Sequence, residues 1–361
     1  MARDPQVDLI FSHFYPRYAA TGVDFNDLNR LITRIDFWKD WCRVWSEEAH
    51  RHERMAEDAA KSGRRLTAAQ AWLRAAIYYH YGKHLFGAHP SEFNAAQANM
   101  LRCYAAAARD LPRPMQRLEI PYRGKHIYAY LRRPENVARP PVAIILPGLD
   151  ACKEELHEWT EPFLDRGLAT ITLDGPGQGE AAAHFPITTE WGPVIGTVID
   201  FLAKRNDVDA HTVGIVGQSL GAFYAPLAAA QEPRLKCCVS NCGPFDFGPV
   251  LPQMPDVSQD LFRIRAHLST RAEGLAYAHK LTMAREAQKL ACPLLIIFGA
   301  GDRIIPVSEG RLLAKAVRGH VDLVVYEEGN HVCFNIPYKF RPLSADWTAE
   351  KLRAAQHAKM R

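Results

Sequence analysis

No two cysteines in this sequence have the Cys-x-x-Cys spacing of a metal knuckle or redox motif. The eight that are present (Cys42, Cys103, Cys152, Cys237, Cys238, Cys242, Cys292 and Cys333) follow no regular disulfide pattern. They sit mostly in apolar segments, which predicts buried free thiols in a reducing compartment. An uninterrupted apolar run of roughly 18 residues, the minimum for a membrane-crossing helix, is also missing. The start, Met1-Ala2-Arg3-Asp4-Pro5, lacks the apolar segment of a secretory signal, so the expected location is cytoplasmic, with no membrane partner. Charge of one sign is not concentrated anywhere: 44 basic residues stand against 40 acidic ones, a net +4 spread along the chain. Without a basic stripe there is nothing to follow a nucleic-acid backbone, and a small-molecule substrate is expected. With 361 residues, 48% of them hydrophobic, the chain can bury a large core, and its length predicts about two domains.

Residues 1–112 have almost no strand-like alternation. Asp24 to Lys61 and Leu66 to Phe86 carry apolar and aromatic residues at helical spacing, among them Leu28, Leu31, Ile32, Ile35, Trp38, Trp41 and Trp45. A third helix is expected from Ser91, as its N-cap, to Asp110. This predicts a helical amino-terminal domain whose aromatic residues help to enclose the active site and to form a dimer contact. Tyr78-Tyr79-His80-Tyr81, with His84 one turn after His80, has no further ligand at metal spacing and is assigned to packing or a pocket wall. His50 and His52 point to different helix faces and are expected to be exposed. The weak likeness of Trp72-Leu73-x-x-Ala76 and Ala105-Ala106-Ala107 to paired-helix repeats falls short of the copies such arrays need.

After Pro112-Arg113-Pro114 the texture changes, and residues 113–361 read as alternating strands and helices. Arg117 to Tyr122 and His126 to Leu131 flank Arg123-Gly124-Lys125 as a hairpin. Val142 to Leu146 is continuously apolar, as a strand buried on both faces must be, and Ala169 to Leu173 repeats this after a helix expected over Glu154 to Arg166. Later strands are expected at Val213 to Val216, Cys237 to Ser240, Leu294 to Phe298 and Leu323 to Tyr326. The pattern predicts a mainly parallel, doubly wound α/β sheet.

The carboxyl end of such a sheet is where ligands bind, and chemistry-bearing residues cluster there. Val213-Gly214-Ile215-Val216-Gly217-Gln218-Ser219-Leu220-Gly221 meets the small-residue run Ala222 to Ala230, a strand, sharp turn and helix centred on Gly-x-Ser-x-Gly. This is the nucleophile elbow of an α/β hydrolase, with Ser219 as nucleophile. Pro147-Gly148-Leu149-Asp150 follows the first buried strand. The amide of Leu149, turned inward by the glycine, is expected to form an oxyanion hole with that of Leu220. Asp174-Gly175-Pro176-Gly177-Gln178-Gly179 has glycines suited to a dinucleotide loop, but Pro176 and the missing helix after it mark a structural turn. Gly299-Ala300-Gly301-Asp302 and Gly329-Asn330-His331 close two later strands, so Asp302 and His331 follow the serine in the order the fold requires, as acid and base of a Ser-His-Asp triad. No motif calls for a cofactor or a metal. Gly243 to Lys289 is too long for a simple connection and reads as a lid, an insertion at about 244–290 with helical stretches at Asp260 to Leu268 and Arg271 to Lys289.

Leu149-Asp150-x-x-Lys153-Glu154-Glu155, Asp174 to Gly179, Gly217-Gln218-Ser219-Leu220-Gly221, Glu232-Pro233-Arg234-Leu235 and Gly329-Asn330-His331-x-Cys333, behind a helical amino-terminal domain, resemble the 2,6-dihydroxypseudooxynicotine hydrolase family. That group is allied to fungal polyketide-shortening hydrolases and fermentation-respiration switch proteins. The resemblance implies a homodimeric serine hydrolase that cleaves a carbon-carbon bond beside a ketone in an aromatic or polyketide-like substrate. It also implies an auxiliary acid near the start of the lid, for which Asp246 is the nearest residue; the proline-rich stretch Pro249 to Pro255 departs from the family pattern. An esterase, lactonase or amidase with the same triad and a non-catalytic binding protein on this scaffold remain as alternatives.

Overall fold

The computed structural model describes residues 3–359 and divides into two compact units, Met1–Gln116 and Arg117–Arg361. The first unit is built from helices α1 (Pro5–Ala20), α2 (Phe25–Arg34), α3 (Trp41–Lys61), α4 (Arg65–Lys83) and α5 (Pro90–Ala107). Asp24 caps α2, its carboxylate accepting the N–H groups of Asn26 (2.8 Å) and Asp27 (3.3 Å). The expected single run from Asp24 to Lys61 is thus two helices, parted at Ile35 to Asp40 where the backbone opens to extended angles. The expected cap at Ser91 is corrected to His89: Pro90 takes the first helical position, where its missing N–H is not needed. Helix α1 is absent from the sequence reading because Pro16 marks a break, yet Val7, Ile10, Phe11, Phe14 and Tyr18 form one buried face.

Aromatic side chains fill this unit. The rings of Tyr18 and Tyr81 meet edge to face at 4.6 Å, Trp41 Nε1 donates to the Tyr81 carbonyl at 2.9 Å, and His80 and His84 are buried among them. His52 overturns its expected exposure, while His50 is exposed. His52 Nε2 lies 2.6 Å from Asp27 Oδ2, which also accepts the Tyr78 hydroxyl at 2.7 Å. Burial alone would raise the Asp27 carboxyl, but the hydrogen bonds from Tyr78 and His52 outweigh it and hold it below the usual range. The charged composition of α3 concealed this polar core.

The second unit is an eight-stranded sheet of order β1-β2-β4-β3-β5-β6-β7-β8, with β1 (Met115–Tyr122), β2 (Lys125–Arg132), β3 (Pro141–Leu146), β4 (Ala169–Asp174), β5 (Asp209–Gln218), β6 (Leu235–Asn241), β7 (Leu294–Gly299) and β8 (Val321–Tyr326). Strand β2 runs antiparallel to β4, and the strands from β4 to β8 are parallel. Every residue of β3, β4 and β7 is buried; β3 and β7 are unbroken apolar runs, while β4 also buries Thr170, Thr172 and Asp174. Arg123 and Gly124, with φ of 46° and 78°, form the two-residue turn between β1 and β2. Helices α6 (His157–Leu164), α7 (Trp191–Ala203), α8 (Gly221–Gln231), α11 (Val307–Ala316) and α12 (Pro337–Lys359) flank the sheet. The chain thus has the α/β-hydrolase fold. Helix α7 escaped sequence analysis because Gly192, Pro193 and Gly196 interrupt its apolar face, which is nonetheless buried along Trp191, Val194, Ile195, Val198 and Leu202.

The helix expected from Glu154 starts only at His157, and Lys153 to Glu155 lie in turns. The reason is electrostatic. Lys153 Nζ is completely buried among Glu154 Oε1 (2.6 Å), Asp174 Oδ2 (2.9 Å) and Glu180 Oε1 (2.5 Å), and Arg117 holds Glu180 from the other side at 2.7 and 2.8 Å. Burial opposes the ammonium charge, but Asp174, Glu154 and Glu180 keep its pKa well above the ordinary value.

In the lid, α9 (Asp256–Arg265) and α10 (Arg271–Ala278) are shorter or shifted against the expected stretches. A capping box between Thr270 and Glu273 starts α10, and the chain then turns back to bridge Thr282 with Asp246. Four hydrogen bonds fasten this lid to the loop after β4: Ile187 N to Arg265 O (3.0 Å), Arg265 Nη1 to Gly179 O (3.1 Å), His267 Nε2 to Ala182 O (2.7 Å) and Tyr277 OH to Ile187 O (2.8 Å). Among the described residues no helix is long and apolar enough to cross a membrane.

The buried lysine yields a prediction. Lys153→Met strands three carboxylates in the interior and should lower unfolding stability in urea by about 3–5 kcal/mol. A loss under about 1 kcal/mol would show that the cluster adds no net stability.

Candidate active site

Strand β5 ends at Gln218, α8 begins at Gly221, and the two residues between them turn the chain sharply. Ser219 takes the left-handed conformation with φ 53°, which is costly for a residue with a side chain. Its neighbours explain how the turn closes. A Cβ at Gly217 would lie 2.0 Å from the Gly221 carbonyl oxygen, and one at Gly221 would lie 2.4 Å from that of Pro147. No side chain fits at either place, so strand, turn and helix meet backbone to backbone.

His331 Nε2 lies 2.9 Å from Ser219 Oγ, and His331 Nδ1 lies 2.7 Å from Asp302 Oδ2. Asp302 sits in the loop after β7, where its Oδ1 accepts the N–H groups of Ile304 (2.8 Å) and Ile305 (2.9 Å). An ionised carboxylate can only accept, so the ring proton belongs on Nδ1, and Nε2 is left to accept from the serine hydroxyl. The Asp302 side chain has no exposed surface and that of His331 is 10% exposed. Water is therefore kept from the Asp302–His331 bond.

Leu149 and Leu220 are both buried near Ser219: Leu220 follows it directly, and the Leu149 loop adjoins it, since a Cβ on Gly148 would lie 3.1 Å from Ser219 Cβ. Neither backbone N–H donates to an acceptor among the described residues. Buried amide donors are nearly always satisfied, so an acceptor from outside the protein has two donors waiting. The turn Asp174 to Gly179 contributes a member that sequence reasoning missed. Gln178 Nε2 donates to the Pro147 carbonyl, and Gln178 Oε1 accepts from Gly175 N at 3.1 Å, which braces the loop carrying Leu149.

Asp246, at the start of the lid, is half-buried. Its Oδ1 accepts from Gly248 N and its own N–H donates to Glu309 Oε2, both at 3.0 Å. None of its hydrogen bonds reaches Ser219, Asp302 or His331. Among the described residues three clusters have ligand atoms close enough together for a metal: Cys242 with Asp302 and His331, Asp27 with Glu48 and His52, and Glu154 with Asp174 and Glu180. In the last two a cation of the protein already occupies the centre, Arg30 for the one and Lys153 for the other. In the first, His331 and Asp302 are committed to each other, and burial pushes the Cys242 thiol far above its ordinary pKa.

Comparison with known proteins follows from this geometry. A family model described as esterase FrsA-like matches residues 26–328. The 2,6-dihydropseudooxynicotine hydrolase of Paenarthrobacter nicotinovorans is 31% identical over 94% of this chain and 92% of its own length. The crystal structure of a 2,6-dihydroxy-pseudo-oxynicotine hydrolase superposes with a TM-score of 0.86 at 30% identity, covering 94% of this chain and 96% of the other. The 20-hydroxy-prefusarin hydrolase of Gibberella moniliformis is 33% identical over 58% of this chain, which spans 53% of that protein.

The tight approach of Gly148 to the serine is testable. In Gly148→Ala the added methyl must push Ser219 Cβ by a few tenths of an ångström from its 3.1 Å contact. A shift of that kind at a nucleophile should slow turnover about tenfold or more with little change in melting temperature. Unchanged turnover would mean that the Leu149 loop does not fix the serine.

Proposed function

The chain belongs to the esterase FrsA-like family and is a hydrolase, and from that premise we propose that it is a serine hydrolase cleaving a carbon-carbon bond next to a ketone in an aromatic or polyketide-like (β-dicarbonyl) substrate. The observation that carries the mechanism is the unbroken hydrogen-bond chain from Asp302 through His331 to Ser219. Ser219 Oγ attacks the ketone carbon while His331 Nε2 takes its proton, and Asp302 stabilises the resulting imidazolium. The amides of Leu149 and Leu220 donate to the oxyanion. Collapse of the tetrahedral adduct breaks the carbon-carbon bond, and the electron pair is delocalised onto the second carbonyl of the β-dicarbonyl unit as an enolate, whose carbon takes the proton back from His331. Water, deprotonated by His331, then hydrolyses the acyl-serine to a carboxylic acid and restores the enzyme.

The choice of a carbon leaving group rests on the whole-length likeness to a pseudooxynicotine hydrolase. An esterase, lactonase or amidase would use the same groups with an oxygen or nitrogen leaving group, and the family description supports that second reading. A homodimer belongs to the proposal through the family resemblance, and a cytoplasmic setting and a small-molecule substrate through the composition and charge of the sequence; light scattering and cell fractionation read the first two.

Ser219→Ala should lower turnover by roughly three orders of magnitude or more, and His331→Ala and the double variant should be about as inactive, because groups acting as one unit are not additive. Losses that multiply, or a folded Ser219→Ala protein with near-normal activity, would end the serine-hydrolase reading. Mass spectrometry of products from aryl diketones and matched esters then identifies the bond cleaved.

Asp246 enters as auxiliary acid through Oδ2, since Oδ1 is engaged by Gly248: it lends its proton to the enolate oxygen and recovers it as His331 protonates the carbon. Asp246→Asn retains that acceptor but cannot supply a proton, so it should slow diketone cleavage by about a hundredfold, the lower range of general-acid effects, while ester turnover stays unchanged. Equal rates on both substrates in wild type and variant would remove Asp246 from the mechanism.

A further inference from the structure

The hydrogen bond between Ser219 and His331 joins segments 112 residues apart, and one residue, through its main chain and its side chain, bonds the backbone of both segments. Asn241 is the last residue of β6, paired in register with Gln218 at the end of β5 and with Ile297 of β7. It therefore stands between the serine strand and the acid strand. Its carbonyl accepts the N–H of Ser219 at 2.9 Å, and its side-chain Nδ2 donates to the carbonyl of Val332 at 3.2 Å. Val332 directly follows His331 and is held at φ 60°, ψ 5°, a left-handed conformation that a β-branched residue almost never adopts. Cys333 after it has φ 59° and Cys242, next to Asn241, has φ 56°. The histidine loop is thus strained, and strain persists only where surrounding contacts over-determine it.

The orientation of the amide follows from its partner. A carbonyl can only accept, so the nitrogen of Asn241 must face Val332; the flipped amide would set two oxygens against each other. In that orientation Asn241 Oδ1 is buried with no hydrogen-bond partner among the described residues. An unsatisfied buried acceptor is a cost that an apolar side chain of the same size would avoid. A residue that bears this cost is there for its donor.

We infer that Asn241 is a positioning residue that sets the Ser219–His331 distance, its main chain holding the nucleophile turn and its side chain holding the histidine loop. The inference rests on the serine-hydrolase reading above. Its main-chain bond survives any substitution, so replacements isolate the side chain. Without the donor the Val332 carbonyl relaxes, the loop leaves its left-handed conformation, and Nε2 drifts from Oγ. The nucleophile loses its base while the substrate-binding surface is untouched.

The test uses a fluorophosphonate, which reports the reactivity of Ser219 whatever the natural substrate. Wild-type protein should be labelled, and Ser219→Ala should not; an unlabelled wild type would overturn the hydrolase reading and this inference with it. Asn241→Leu keeps the volume and removes the donor, and should be labelled about tenfold or more slowly at pH near 8. Asn241→Asp is nearly isosteric. Protonated, its carboxyl donates to Val332; ionised, it repels that carbonyl. Its labelling rate relative to wild type should therefore fall as pH is raised from about 5.5 to about 8.5. The other titratable groups of the site, Asp302, His331, Cys242 and Cys333, are present in every variant, and Asn241→Leu, which adds no charge, gives their own pH dependence. A position that served stability alone would shift the melting temperature without this pH dependence. Folded variants labelled within about twofold of wild type across that range would overturn the positioning role while leaving the hydrolase reading intact.

Discussion

The left-handed backbone at Ser219 is the constraint on which the second unit is arranged. A residue with a Cβ at φ 53° carries roughly 1–3 kcal/mol of strain, and the fold confines it from three directions. Gly217 and Gly221 allow the carbonyls of Gly221 and Pro147 to come closer than a side chain would permit, and the carbonyl of Asn241 holds the Ser219 N–H. The ends of β3, β5 and β6 are therefore fixed relative to one another by the serine turn itself. A hydroxyl so placed cannot fold back on its own helix, and it points where His331 can reach it.

A second set of contacts braces the same edge of the sheet from the side of β4. Asp174, the last residue of β4, accepts the Lys153 N–H and the Lys153 ammonium, and its carboxylate fills the space that makes a Cβ at Gly179 impossible. Gln178 carries the brace on to the Pro147 carbonyl. Arg265 then extends it into the lid through the Gly179 carbonyl. Both the loop bearing Leu149 and the first lid helix are thus anchored to one turn, Asp174 to Gly179, whose glycines make room for Trp191, Ile187 and the Asp174 carboxylate. The turn is structural in origin, as its proline indicates, yet it governs how the backbone amide of Leu149 is presented.

What sequence made legible follows from where each residue stands. Ser219, Asp302 and His331 each lie just past an apolar strand, so the strand pattern alone places them on one edge of a parallel sheet, and the structure brings all three within hydrogen-bond distance. Gly148 and the Gly-x-Ser-x-Gly glycines were legible for the same reason. The residues that escaped are those whose role lies in a partner far along the chain. Lys153 reads as a surface charge until Asp174 and Glu180 are set around it, His52 until Asp27 and Tyr78 are, and Asn241 until Val332 is. Local patterning reports burial of apolar faces; it carries no signal for a polar group buried by pairing. Helices α1 and α7 failed differently, since a proline or glycine inside each outweighed a sound apolar face.

A carbon leaving group makes a demand on this geometry that an oxygen leaving group does not. An alkoxide is protonated as it departs, on the atom that breaks away, and the histidine that activated the serine is already beside it. An enolate spreads its charge from carbon to oxygen, so the proton must be directed to carbon for the hydrolysis to be completed in the site rather than in solution. That requires the imidazolium to remain in place after the bond has broken, long enough for a slower transfer. The buried Asp302 carboxylate, held by two backbone amides, keeps the ring from rotating. The Asn241 amide keeps the loop that carries the ring from relaxing. Four hydrogen bonds fasten the lid to the loop after β4, and a lid so held is proposed to keep out the water that would otherwise protonate the enolate first. For the proposed cleavage at carbon, a fixed His331 is therefore one requirement, and the auxiliary acid proposed at Asp246 is the other.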